Sequence, residues 1–368
     1  MAELSARAHR PRLAEAGLLL VILLLGIVIT AAADTIELRG ERVNAFLRAD
    51  NLLANVATPM AWMAIMALGA TIVIISGGID ISVGSMFGLS ALGTAAVLQE
   101  LPADAAWYVS VPVAAGVALG IGTLCGLING ALVVGLRMHP FIVTLGTLSI
   151  FRGIGLVAVR SKTLPELGRS LPDSYTEGFV GARVALADGA SFVQPVPMLV
   201  MLLCGVAAWV FLSHTPGGRE VYAVGGNEEA ARFSGLSVGR IKLRVYAMSG
   251  FCCGVAGLLS AGFYQSANTS TGEGYELTVI AAAVVGGASL LGGRGTALGA
   301  LLGALVIKLI ENGIDILRSI ELGFATLPVS KEYGKIIIGI AILLAVAVDS
   351  LSERVRSRRG FGAGGTGA

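Results

Sequence analysis

About ten runs of roughly twenty apolar residues follow one another along 368 positions, and they leave this chain few folds to choose from. An α-helix satisfies its own backbone groups and needs about 20 apolar residues to cross a bilayer. The runs lie near 14–33, 52–75, 81–99, 107–136, 140–159, 195–213, 244–263, 277–293, 295–311 and 334–350. Charged residues make up 14% of the chain against about 25% in an ordinary soluble domain. The expected fold is therefore an all-α integral membrane protein of about ten transmembrane helices. The last three runs are shorter or broken by glycine, so tilted, split or re-entrant helices are expected there.

Residues Ala16–Ala33 carry no charge and follow Arg7, Arg10 and Arg12. A cleaved signal peptide competes with a retained first span, and the run's length and the many spans that follow favour retention. With ten spans both termini share one side. That side receives the arginine-rich N-terminus, Arg137, the Arg219–Arg244 segment, Arg294 and Arg354–Arg359, which makes it cytoplasmic by the positive-inside rule. Three regions follow: a cytoplasmic tail over 1–13, a transmembrane domain over 14–350 and a cytoplasmic tail over 351–368. The four cysteines all fall in apolar runs without metal-ligand spacing, as packing residues do.

The segment Ser76-Gly77-Gly78-Ile79-Asp80-Ile81-Ser82-Val83-Gly84-Ser85 interrupts two apolar runs. Gly77 and Gly78 free the backbone from helical geometry, and Asp80, Ser82 and Ser85 offer oxygens beside freed amides. A charge at membrane depth is costly, so Asp80 should face protein or water. Two readings stay open: a gate or polar lining for a hydroxylated solute, or a capped turn with Asp80 or Ser82 as helix N-cap. Asn129 and His139-Pro140 bracket the next turn, and Thr144, Thr147 and Ser149 put hydroxyls on the following helix. Such hydroxyls contact either a pathway or a neighbouring helix.

Arg152 and Lys308 lie in or near spans. Arg152 would pair with a carboxylate or snorkel from a helix end. Glycines at Gly116/Gly120, Gly122/Gly126/Gly130 and Gly295/Gly299/Gly303 share helical faces and fit close helix packing. The run Gly287–Arg294 has a phosphate-loop glycine interval but lacks the Lys-Ser/Thr pair, so nucleotide binding is rejected there. The sequence repeats itself faintly. Ser76-Gly77-Gly78 is echoed at Gly286-Gly287, and Asn129-Gly130 at Asn312-Gly313, as in transporters with duplicated halves.

Between two spans, His214–Arg244 is a polar island. Asn227-Glu228-Glu229-Ala230-Ala231, followed by Gly235, predicts one short helix that ends at a glycine and docks into a soluble partner. No His/Cys/carboxylate cluster suits a metal, no Ser-His-Asp set has a scaffold, and no cofactor is expected. An enzyme is disfavoured.

Taken in order, Gly77–Ser85, Gly126-Leu127-Ile128-Asn129-Gly130, Pro140–Gly146, Ala223–Asn227, Gly286-Gly287 and Ile310–Gly313 resemble permeases of ABC sugar importers of the ribose/xylose type. The resemblance covers roughly residues 50–350. It implies a multi-pass inner-membrane subunit that imports a monosaccharide, with ATP hydrolysed elsewhere. The partners it implies are a second permease copy, a cytoplasmic ATPase with tandem nucleotide-binding domains and a periplasmic sugar-binding protein. Within a loop over about 214–243, it makes Asn227, Glu228, Glu229, Ala230, Ala231 and Gly235 the coupling helix. Gly77, Gly78, Asp80, Ser82, Ser85, Asn129, Thr144 and Asn312 become pathway or gate residues. Asp34–Asp50 and Arg160–Gln194 are longer outer segments than the family pattern. The competing function is an ion-gradient-driven transporter with Asp80 as the ion site.

Overall fold

The computed structural model describes residues 13–38, 41–159, 161–185, 192–317, 319–321, 326–328, 333–341, 343–344 and 347. The two terminal tails expected at 1–13 and 351–368 lie outside these, save Leu13. Helix α1 spans Leu13–Ala32, and a widened π-helical turn over Asn51–Ala57 runs into α2, Thr58–Ile75. The chain continues through α3 (Val83–Leu98), α4 (Trp107–Leu136), α5 (Pro140–Ala158), α6 (Pro195–His214), α7 (Pro216–Gly226), α8 (Glu228–Phe233) and α9 (Val238–Tyr264). Helices α10 (Tyr275–Val285) and α11 (Ala297–Ile316) follow, and the backbone over 333–341 is helical.

Among the described residues, seven helices are long and apolar enough to cross a membrane, with α3 and α10 apolar but shorter. The protein is thus a multi-pass helical membrane protein, and two expected spans differ in kind. The run 277–293 is cut to the eleven residues of α10. The turn that follows places Gly287, Gly292, Gly293 and Gly295 at φ of 90°, 85°, 70° and 148°, a region that ends a helix and favours glycine. The run 334–350 is helical at its start and lies partly outside the described residues.

The architecture is not purely helical. Short antiparallel pairs join β1 (Thr35–Leu38) to β2 (Glu41–Asn44), β3 (Thr163–Leu164) to β6 (Ala267–Asn268), β4 (Val184–Ala185) to β5 (Phe192–Val193), and β7 (Ser319–Glu321) to β8 (Thr326–Pro328). All lie between helices, where backbone groups have no helical partners and pair with each other instead.

Helix α2 is the axis: every residue except Pro59 is buried. Around it pack α9, α10, α11 and α6. The α4–α9 contact is close because glycine meets glycine. A Cβ on Gly122 would lie 2.3 Å from the Gly250 carbonyl oxygen, and one on Gly250 would lie 2.1 Å from that of Gly122. Gly299 and Gly303 pack likewise on Gly286 and Ala282, whereas Gly116 and Gly120 face open space. Helix α1 lies against α11, with Ile29 on Gly313, and turns Leu19, Leu20, Leu23 and Leu24 outward. Residues 161–185 fold down onto α9: the Tyr175 hydroxyl donates to the Leu258 carbonyl, and Val180 fills the space beside Gly262.

Candidate functional site: a buried carboxylate beneath a glycine clasp

The end of α2 is made by its own sequence. Ser76 Oγ donates to the Val73 carbonyl at 2.7 Å, and Gly77 turns at φ 80°. A Cβ on Gly78 would come within 2.7 Å of the Tyr246 hydroxyl, which itself donates to the Ile79 carbonyl at 3.2 Å. The chain then runs non-helically to Ser82 before α3 begins.

Asp80 sits in this break, 2% exposed. Its Oδ1 accepts from the Ser82 amide at 3.0 Å and the Ser82 hydroxyl at 2.7 Å, and its Oδ2 from the Ser249 hydroxyl at 3.2 Å. Asn129 Nδ2 donates to Ser82 Oγ at 2.7 Å and lies 3.4 Å from Asp80 Oδ1, while Asn129 Oδ1 is buried without a partner among the described residues. Thr144 Oγ1 accepts from the Ile81 amide at 3.2 Å and donates to the Pro140 carbonyl at 3.0 Å. Four helices therefore surround one turn, and hydroxyl and amide donors satisfy the oxygens of the buried carboxyl group.

Of the expected pathway residues, Gly77, Gly78, Asp80, Ser82, Asn129 and Thr144 come together here. Ser85 is one turn away and donates to its own helix at the Ser82 carbonyl, 2.8 Å. Asn312 lies outside this network, in a buried reciprocal amide pair with Asn51 at 3.0 and 3.1 Å. The N-cap alternative takes another form: Ser82 occupies the N-cap position with no capping bond, its hydroxyl being given to Asp80. Arg152 donates to the Thr271 carbonyl at 2.7 Å rather than to a carboxylate, and Lys308 pairs with Glu311 at 3.0 Å.

The crossover from α6 to α9 carries two short helices where one was expected. Thr215 caps α7, accepting from the Gly218 amide at 3.1 Å, and Asn227 caps α8, accepting from the Ala230 amide at 2.9 Å. Gly235 ends α8 at φ 85°. Glu228 bridges Arg232 at 2.9 Å and Lys242 at 2.6 Å. The Lys242 hydrogen bond, with its charge and that of Arg232, holds the Glu228 carboxyl below its ordinary value, against partial desolvation. Phe233 stands 84% exposed on α8.

The crossover touches the Asp80 turn through a clasp of backbone. Gly225, near the end of α7, lies so close to the last residue of α2 that a Cβ would stand 1.7 Å from the Ile75 carbonyl oxygen. The same oxygen accepts from the Gly293 amide at 2.8 Å, and Gly292 lies against Gly77 and Gly225. Ser249 and Tyr246 escaped sequence reasoning, and Gly225 and Gly293 fell within singled-out runs that gave them no part in this site. Ser249 is a lone hydroxyl in an apolar run, and its one signal is Tyr246 a helical turn before it. Among the described residues no group of three or more His, Cys, Asp or Glu side chains could hold a metal ion.

Residues 52–346 match the family described as branched-chain amino acid transport system, permease component. The chain is 37% identical over 308 residues to the ribose import permease protein of Haemophilus influenzae, covering 83% of this chain and 86% of that protein. It is 38% identical over 306 residues to the protein of that name in Bacillus subtilis, covering 83% and 86%. An autoinducer 2 import system permease protein of Yersinia pseudotuberculosis is 33% identical over 267 residues, covering 73% and 76%. No solved structure matches.

Proposed function

The chain belongs to the family of branched-chain amino acid transport system permease components, and from that premise we propose that it is the membrane subunit of an ATP-driven importer carrying a monosaccharide across the bacterial inner membrane. It is a transporter subunit and not an enzyme. Among the similar proteins, ribose import permeases at 37% and 38% identity align with most of the chain, which favours a sugar over an amino acid. The importer would comprise a second permease copy, a tandem-domain ATPase on the cytoplasmic side and a periplasmic binding protein that delivers the solute. Both termini and the α7–α8 crossover would be cytoplasmic, with α3, α10 and the 334–350 run completing ten membrane segments.

The observation that carries this reading is the clasp. The exposed face of α8 is three residues from Gly225, and Gly225 rests on the Ile75 carbonyl, five residues before Asp80. Closure of an ATPase groove around α8 would push α7 against the end of α2 and shift the Asp80 turn with it. Access would then alternate between two discrete packings. The test is ATP-dependent uptake in proteoliposomes containing all subunits. A Glu229→Arg, Gly235→Trp double variant should leave the protein folded and abolish uptake. Normal uptake by that variant, or wild-type uptake that survives ATP depletion and collapses with an ionophore, overturns the proposal.

A further inference from the structure

Resting on the importer reading, we propose that the cavity between α3, α9 and the 265–274 turn is the permease's own subsite for a neutral polyhydroxylated ring. The cavity holds about 350 Å³ and is lined by Phe87, Ser260, Tyr264, Asn268, Glu273 and Tyr275, among others. That volume falls in the range of small-molecule sites, about 300–1,000 Å³.

Its floor is built by glycine. A Cβ on Gly84 would lie 2.4 Å from the Gly272 carbonyl oxygen, and one on Gly88 would lie 2.2 Å from that of Thr271. The turn is thus pressed onto α3 within two helical turns of Asp80. Arg152 clamps it by donating to the Thr271 carbonyl at 2.7 Å. Asn268 Oδ1 draws the turn together, accepting from the Ser270 amide at 3.0 Å and hydroxyl at 2.8 Å. The β3–β6 pairing of Thr163 with Asn268 ties it to residues 161–185. A turn held by so many bonds costs little further ordering when a ligand arrives.

The lining supplies two kinds of contact. Phe87 and Tyr275 stack with centroids 5.6 Å apart and form an aromatic wall. Ser260, 3% exposed, and the Glu273 carboxylate make no side-chain hydrogen bond or ion pair among the described residues. One acceptor-only carboxylate, hydroxyls that both donate and accept, and an aromatic face match a ring bearing adjacent hydroxyls. The described lining contains Glu273 and no Lys, Arg or His, and Arg152 behind it is engaged by the Thr271 carbonyl, so the carboxylate of an amino acid solute would meet like charge in the lining.

The test is protection of a thiol in the full-length purified protein. Ser260→Cys is labelled by a small charged thiol reagent, with the wild-type protein giving the background from its own four cysteines. D-ribose, D-xylose, D-glucose and L-leucine are each added at matched concentration. At least one sugar should slow labelling several-fold and leucine should not. Adding Glu273→Gln should raise the half-protecting sugar concentration about tenfold, the effect of losing a charged hydrogen bond. Absence of labelling, no protection by any of the three sugars, equal protection by leucine, or an unchanged half-protecting concentration in the double variant each overturns the subsite. Wild-type uptake in proteoliposomes is scored separately. If it depends on ATP while protection fails, the importer reading stands and the subsite falls; if protection succeeds without ATP dependence, the importer reading falls.

Discussion

Replacing Gly225 with alanine puts one methyl group where the structure has the least room. The added carbon would stand 1.7 Å from the Ile75 carbonyl oxygen, 2.7 Å from the Gly293 nitrogen and 2.8 Å from the Ile75 carbonyl carbon. All three are backbone atoms, so no side chain can rotate away. Overpacking of this kind costs about 1–3 kcal/mol. Separating Ile75 from α7 also strains the Gly293–Ile75 hydrogen bond at 2.8 Å, adding about 0.5–1.5 kcal/mol. Alanine returns up to about 1 kcal/mol as the better helix former, so the net expectation is roughly 0.5–4.5 kcal/mol of destabilisation. Gly226→Ala is the internal control, because a Cβ there meets nothing within 4 Å. It should be neutral or slightly stabilising. In detergent the Gly225 variant should melt a few degrees lower than the Gly226 variant. Reconstituted with its partners it should lose most ATP-dependent uptake, since the clasp is the contact through which α8 reaches the Asp80 turn. Equal melting temperatures and equal uptake for the two variants would refute the clasp.

Two further outcomes are expected. Glu228 titrates below its ordinary value of 4.5 because of Lys242 and Arg232. Its contribution to stability is therefore full above that ordinary value and is lost as pH falls through the lowered folded one. Melting temperature followed from pH 6 to pH 3 should fall more steeply for the wild type than for Glu228→Gln; identical slopes would remove the ion pairs from the account. Asn312→Leu removes both amide–amide hydrogen bonds to Asn51, which keeps its bonds to the Phe46 carbonyl and from Asn55 Nδ2, so the cost should be about 0.5–1.5 kcal/mol for each of the two bonds, and the Asn51→Leu, Asn312→Leu pair should cost less than the sum of the single variants. Additive costs in a double-mutant cycle would show that the two amides do not depend on each other.

Much of the site was legible because local chemistry wrote it. Gly77-Gly78 weakens a helix and here lets the chain turn at φ 80°, Asn227 is a good N-cap, and Gly235 ends a helix in the left-handed region it favours. A lone aspartate between apolar runs has to collect donors. Which donors it collects was not legible. Ser249 lies 169 residues from Asp80, Asn312 lies 261 from Asn51, and nothing in one serine or asparagine names so distant a partner. The short β pairs were missed because they rest on two to four residues each, too few for a periodic signal.

The sequence alone determined the material and its spacing. Long charge-free runs compel helices, since backbone groups in lipid have no other partner, and glycine pairs and a capping asparagine fix where several of them stop. Tertiary structure decided the rest. Glycine faces are interchangeable in sequence, yet Gly122 and Gly126 meet Gly250 and Gly254 while Gly116 and Gly120 meet nothing. The run at 277–293 stops at Val285 because the next turn must bring Gly293 to the Ile75 carbonyl. Close packing has no sequence code of its own: it depends on which two surfaces arrive together, and only the assembled bundle settles that.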